Sequence, residues 1–129
     1  MTDNSMRTPI GRVRGLGSAK SGMHHWWMQR VTAVALIPLT LWFVASLISL
    51  AGAGYAETVA WLGSPIVAVL MIALIIATFY HAALGLQVVI EDYVHHEGVK
   101  LVLLLGVKLL SFFLAIAALF AVLKLAFGG

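Results

Sequence analysis

His81 is the side chain in this sequence with the most chemistry to offer in the least hospitable place. It stands inside an uncharged stretch of 33 residues, Thr58 to Ile90, ten residues before the acidic Glu91. Ionisable groups inside such a stretch are costly to keep there and are functional candidates by default. Imidazole carries protons, accepts and donates hydrogen bonds, and is the usual axial ligand of haem iron. Ala77 and Gly85 lie one turn to either side on the same helical face, with Ala82 and Ala83 adjacent. Small neighbours let a flat, bulky group approach a helix backbone; they equally let a second helix pack closely around a hydrogen-bonded histidine. Spacing leaves both readings open. No second histidine shares the depth of His81, so an iron held there is five-coordinate or takes its other ligand from a partner.

Asp92 and Tyr93 end the same stretch. Asp92 follows His81 by eleven residues, about 1100° at 100° per residue and so only about 20° from three full turns. It lies on the His81 face, about 16 Å along the axis. A phenol donor beside a carboxylate at a membrane boundary suits a quinone, whose carbonyls need hydrogen bonds and protons as they are reduced. The plainer reading is a helix finished by polar and aromatic residues at the headgroups. Upstream, His24-His25 precede Trp26-Trp27, with Arg30 one turn further on. A guanidinium there can pair with a carboxylate such as a haem propionate, or simply snorkel as a topogenic arginine. His95-His96 match no common zinc spacing and read as a solvated pair. Lys108, about nine residues into the third expected helix, reaches the interface by snorkelling.

The elements that position these groups follow from composition. Of 129 residues 62% are hydrophobic and 10% charged, mean hydropathy is +1.03, and there is no Cys. A water-soluble globule, a disordered chain and a disulfide scaffold are all excluded. Uncharged or nearly uncharged stretches run from Val31 to Ala56, Thr58 to Ile90 and Leu101 to Leu123, the last broken only by Lys108. Each can cross the hydrocarbon once, since about 20 apolar residues suffice. Gly63-Ser64-Pro65 suits a helix entrance with Pro in the first turn. The fold class is therefore an all-α membrane protein with three transmembrane helices, near 27–51, 64–92 and 99–125. Residues 1–26 form a basic tail and 27–129 the three-helix anchor. The first stretch, with 26 uncharged residues, exceeds a signal-peptide core of about 7–15 and reads as a retained helix. Three helices with so few polar residues are expected to pack against a partner's helices.

Five of the eight basic residues fall in the first thirty positions, the segment from Gly52 to Ser64 has none, and the second loop has Lys100. This is a topology signal rather than a nucleic-acid patch. It puts the N-terminus and second loop in the cytoplasm and the C-terminus on the far, periplasmic side. Trp26 and Trp27 mark one interface, Tyr55 and Trp61 the other.

The run His81-Ala-Ala-Leu-Gly85-Leu-Gln87-Val-Val-Ile-Glu91-Asp92-Tyr93-Val94 resembles the signature of the hydrophobic membrane-anchor subunits of succinate dehydrogenase, respiratory complex II. Ser21-Gly-Met-His24-His25-Trp26-Trp27-Met-Gln-Arg30-Val-Thr32-Ala33 resembles their N-terminal motif in its alphaproteobacterial and mitochondria-like form. The likeness runs from Gly11 onward and includes helix number and length. It implies that His81 is an axial ligand of haem b, with a His of the companion anchor, cytochrome b556, as the other. It implies that Arg30 and His24 lie near the haem propionates, with adjacent His25 an alternative to His24. Tyr93 would hydrogen-bond a ubiquinone carbonyl, with Asp92 beside it on the proton path. A flavoprotein carrying FAD and an iron–sulfur protein would dock on the cytoplasmic face of a bacterial inner membrane. The chain would anchor them, with no activity alone. Three competing readings stand beside it: the anchor of a quinol:fumarate reductase, a small transporter relaying protons through His81 and Asp92, and a helper protein without a ligand. Against the transporter, helix 2 before His81 offers, apart from Thr78 and the phenol of Tyr80 close to His81, only apolar side chains back to Ser64.

Overall fold

The computed structural model describes residues 8–15 and 20–128; Arg7 of the basic tail lies outside them. Among the described residues every regular element is a helix: α1 (Pro9–Val13), α2 (Lys20–Ser49), α3 (Tyr55–Leu62), α4 (Pro65–Tyr93) and α5 (Glu97–Ala126). Three of these, α2, α4 and α5, are long and apolar enough to cross a membrane. At 29–30 residues each they measure about 45 Å. That exceeds the hydrocarbon thickness, so they tilt or project beyond it. The helix α4 is the middle element, packed on α2 along one side and α5 along the other, while α2 and α5 do not meet.

Each start and stop has a local cause. Ser64 caps α4, its carbonyl accepting from Ala68 N–H at 2.8 Å, and Pro65 occupies the first helical position, where its missing N–H costs nothing. The expected entrance at 63–65 is thus where the helix begins. His96, read from sequence as one of a solvated pair, is exposed but caps α5: its Nδ1 accepts from Val99 N–H at 3.3 Å. Glu97 and Lys100 form an i,i+3 ion pair across the first turn. Within α2, Pro38 has no N–H to offer the Val34 carbonyl, a weak point in an otherwise continuous ladder.

Two features depart from the expected layout. The first long helix begins at Lys20 rather than near 27. Apolar content marks where a helix meets lipid, whereas backbone hydrogen bonding propagates beyond that limit until a breaker stops it. The segment 52–64, left between the first two expected transmembrane helices, contains α3. Gly52, at φ +88°, turns the chain in a conformation that glycine adopts without strain. Gly54 N–H then donates to the Glu57 carboxylate at 3.2 Å and Thr58 Oγ1 donates to the Gly54 carbonyl at 3.0 Å. Trp61 stacks on Trp42 of α2, centroids 5.9 Å apart. This short helix therefore closes the end of the bundle opposite Tyr93.

At the α3–α4 junction the backbone of Gly63 runs so close to α5 that a Cβ would sit 3.3 Å from the carbonyl oxygens of both Leu125 and Val59. Gly63→Ala is expected to cost about 1–3 kcal/mol, as overpacking does, read as a lower Tm of the detergent-solubilised assembly. An unchanged Tm would mean that this contact can relax.

The interior is thin. Among the described residues only Val67, Ala68, Ala77, Ile90 and Val122, with the polar Thr32, are buried. Leu41, Phe112, Phe113 and Phe120 lie largely exposed, as suits helices whose remaining faces meet lipid or the helices of another protein.

Candidate functional site

Where α2 crosses α4, three polar residues of α2 line up at i, i+4 and i+7: His25, Gln29 and Thr32. Thr32 is 7% exposed, the one buried polar side chain among the described residues. Its Oγ1 lies 3.0 Å from His81 Nδ1, 2.7 Å from the Met28 carbonyl and 3.2 Å from the Gln29 carbonyl. His81 is half-buried, and among the described residues its Nε2 has no hydrogen-bond partner. With Nδ1 turned to Thr32, Nε2 faces away on the opposite edge of the ring.

His81 also borders a shallow, open hollow of about 440 Å³ whose remaining wall is all α2: Ala33, Leu36, Ile37, Thr40 and Leu41. One helix face with a single imidazole at its margin can receive a flat apolar ring on one side only. The other side belongs to whatever packs there. The small residues flanking His81 do a different job. Ala77 is buried, and a Cβ on Gly85 would lie 3.9 Å from Gln29 Nε2. At Gly85 it is the approach of α2 that occupies the space, and the hollow is formed by α2 rather than by the small residues of α4.

Arg30 lies on the α2 face of Ala33 and Ile37, one turn beyond the hollow toward the Tyr93 end. It is exposed, with its guanidinium 5.4 Å from the Trp26 ring centroid. Trp26 in turn stacks on Trp27 at 6.1 Å. Arg30 is thus steadied on an aromatic face while its N–H groups stay available to an anion. Of the adjacent histidines His24 is exposed and His25 is half-buried; among the described residues His25 Nε2 is enclosed without a partner, as is Gln29 Oε1.

Asp92 and Tyr93 are exposed at the end of α4, Tyr93 by 78%. The helix is unbroken from His81 to Tyr93, so Asp92 keeps its place on the His81 face and Tyr93 sits about 18 Å from His81 along the axis. The chain does not bring these two sites together; it holds them at a fixed spacing on one rod. Glu91 accepts from Gln87 Nε2 at 2.9 Å, leaving Asp92 as the carboxylate beside Tyr93. On the other side of α4, Gln87, Lys108 and Ser111 edge an apolar crevice of about 480 Å³ between α4 and α5. Among the described residues no three His, Asp or Glu side chains gather as a metal site. A metal at His81 therefore has to be held mainly by donors outside this set.

Thr32 and Gln29 were not singled out by sequence reasoning. The signal was present as a polar line with helical spacing on an otherwise apolar helix, but its meaning depends on which side of α2 meets His81.

Residues 4–123 match the family described as succinate dehydrogenase/fumarate reductase transmembrane subunit. Similar chains include one from Rickettsia bellii, 36% identical over 116 residues, which span 90% of this chain and 93% of that one. One from Rickettsia conorii is 33% identical over 80% of this chain and 82% of its own length. One from Paracoccus denitrificans is 34% identical over 67% of each. All three are named succinate dehydrogenase hydrophobic membrane anchor subunit. On this match over nearly its whole length, the chain belongs to the succinate dehydrogenase/fumarate reductase transmembrane-subunit family.

Proposed function

We propose that this chain is the hydrophobic membrane anchor of a succinate:ubiquinone oxidoreductase, contributing one axial ligand to haem b and part of the ubiquinone-reduction site. The observation that carries the reading is His81: an intramembrane imidazole held through Nδ1 by Thr32, with Nε2 unengaged among the described residues, on a side chain that borders an apolar hollow. That donor chemistry fits a haem ligand. A haem b held there supplies a one-electron redox centre within the membrane. His81 would supply one of its ligands and a histidine of the companion cytochrome b556 anchor the other. Arg30, and a histidine of the His24-His25 pair, would lie toward its propionates.

The rest of the work falls to the end of α4. FAD in the partner flavoprotein would supply the oxidation of succinate to fumarate, with release of two electrons and two protons, and the iron–sulfur protein would supply the route of those electrons to the quinone. Ubiquinone takes up two electrons and two protons to leave as ubiquinol. Tyr93 donates a hydrogen bond to a quinone carbonyl as charge builds on its oxygen, and Asp92 passes a proton toward it. Their exposure on the isolated chain supports a site completed by neighbouring proteins of the complex. The distribution of basic residues supports an inner-membrane protein with a cytoplasmic N-terminus, a periplasmic C-terminus, and Tyr93 on the side where the soluble pair docks. The family description spans both directions of the reaction, and the relatives' names favour succinate oxidation. Nothing in the family match supports the small-transporter reading.

Deleting the chain from its host should move succinate oxidation measured with a soluble dye from the membrane pellet to the supernatant and abolish ubiquinone reduction. Dye activity that stays membrane-bound would contradict the anchoring role.

A further inference from the structure

We infer that Thr32 is a positioning residue for His81, fixing the imidazole as the Nδ1–H tautomer so that its bare Nε2 faces outward as a ligand; this rests on the haem-ligand reading of His81. The Thr32 hydroxyl has one proton to donate and lone pairs to accept with. Three acceptor-capable atoms surround it, and the shortest contact, 2.7 Å, is to the Met28 carbonyl oxygen. Two oxygens at that separation with no proton between them repel, so the hydroxyl proton lies on the line to Met28, the back-bond that threonine commonly makes within a helix. His81 Nδ1, 3.0 Å away, then meets a lone pair, and the hydrogen between them is its own. Nδ1–H donates, Oγ1 accepts, and Nε2 is left unprotonated. A hydrogen bond donated by the non-ligating N–H of a ligating histidine fixes ring orientation and raises ligand basicity. Because Thr32 is buried and its hydroxyl donates back to the Met28 carbonyl of its own helix, it imposes that orientation before any ligand arrives.

The test uses the purified intact complex carrying Thr32→Val, Thr32→Ala or Thr32→Ser, with His81→Ala in parallel. The readouts are the ferric low-spin electron paramagnetic resonance spectrum and the rate of haem transfer to excess apomyoglobin. Valine and alanine are expected to shift the largest g value and to speed haem release by about 10–100-fold, the usual cost of losing such a partner. Serine, which keeps the oxygen, should match wild type on both. If the valine complex does not assemble, serine against alanine still isolates the hydroxyl. Valine or alanine complexes indistinguishable from wild type would overturn the inference, as would a serine complex as altered as alanine. A His81→Ala complex that keeps the wild-type haem spectrum would overturn the ligand reading itself. His81→Ala losing haem while Thr32→Ala behaves as wild type would overturn only the role of Thr32.

Discussion

His81→Ala should remove the low-spin b-type haem spectrum from the assembled complex while leaving dye-linked succinate oxidation largely intact. The separation follows from what His81 touches. Among the described residues it makes one side-chain hydrogen bond, to Thr32, and losing such a bond costs about 0.5–1.5 kcal/mol net. The long interface of α4 with α2 and α5 can absorb that loss. An axial ligand cannot be absorbed in the same way, because among the described residues there is no clustered donor to replace it. The soluble flavin chemistry lies on other chains and should not register the change. If His81 is instead a packing histidine, the same substitution leaves the spectrum as it was and shows up only as a modest loss of stability.

The second large effect is expected from Tyr93→Phe: ubiquinone reduction about a hundredfold lower, the low end for a group that supplies a proton or hydrogen bond as the reaction proceeds, with haem content unchanged. Tyr93 is 78% exposed in the chain, so removing its oxygen is expected to leave the packing of the described helices intact. Its distance of about 18 Å from His81 along α4 makes haem occupancy an independent control. Wild-type ubiquinone kinetics in the phenylalanine variant would leave Tyr93 as an aromatic residue at the headgroups and nothing more.

The three long helices were legible because lipid imposes a crude rule, about 20 apolar residues per crossing, and charges at Arg30, Glu57 and Glu91 delimit them. His81 and the Asp92-Tyr93 pair were legible for the same reason: polar groups stand out against such a background. What escaped was whatever depends on a neighbour. The eight residues of α3 are too few for a periodic signal; only the Gly54 and Glu57 spacing and Trp61 hinted at it, and its packing needs Trp42. The start of α2 at Lys20 was hidden because hydropathy reports the membrane boundary and not the backbone. Thr32 is an unremarked threonine until a residue 49 positions away comes within 3.0 Å of it. The small residues around His81 showed the converse limit. They predict close approach without naming the visitor, and at Gly85 the visitor is Gln29.

The most direct test of the central claim is a dithionite-reduced minus oxidised spectrum of this chain purified with its natural companions, read beside a mass-spectrometric identification of those companions. The account predicts a b-type haem signal together with a flavoprotein, an iron–sulfur protein and a second small membrane anchor. A preparation with those three partners but no haem would remove His81 from the redox chemistry, and one with no partners at all would contradict the anchor function.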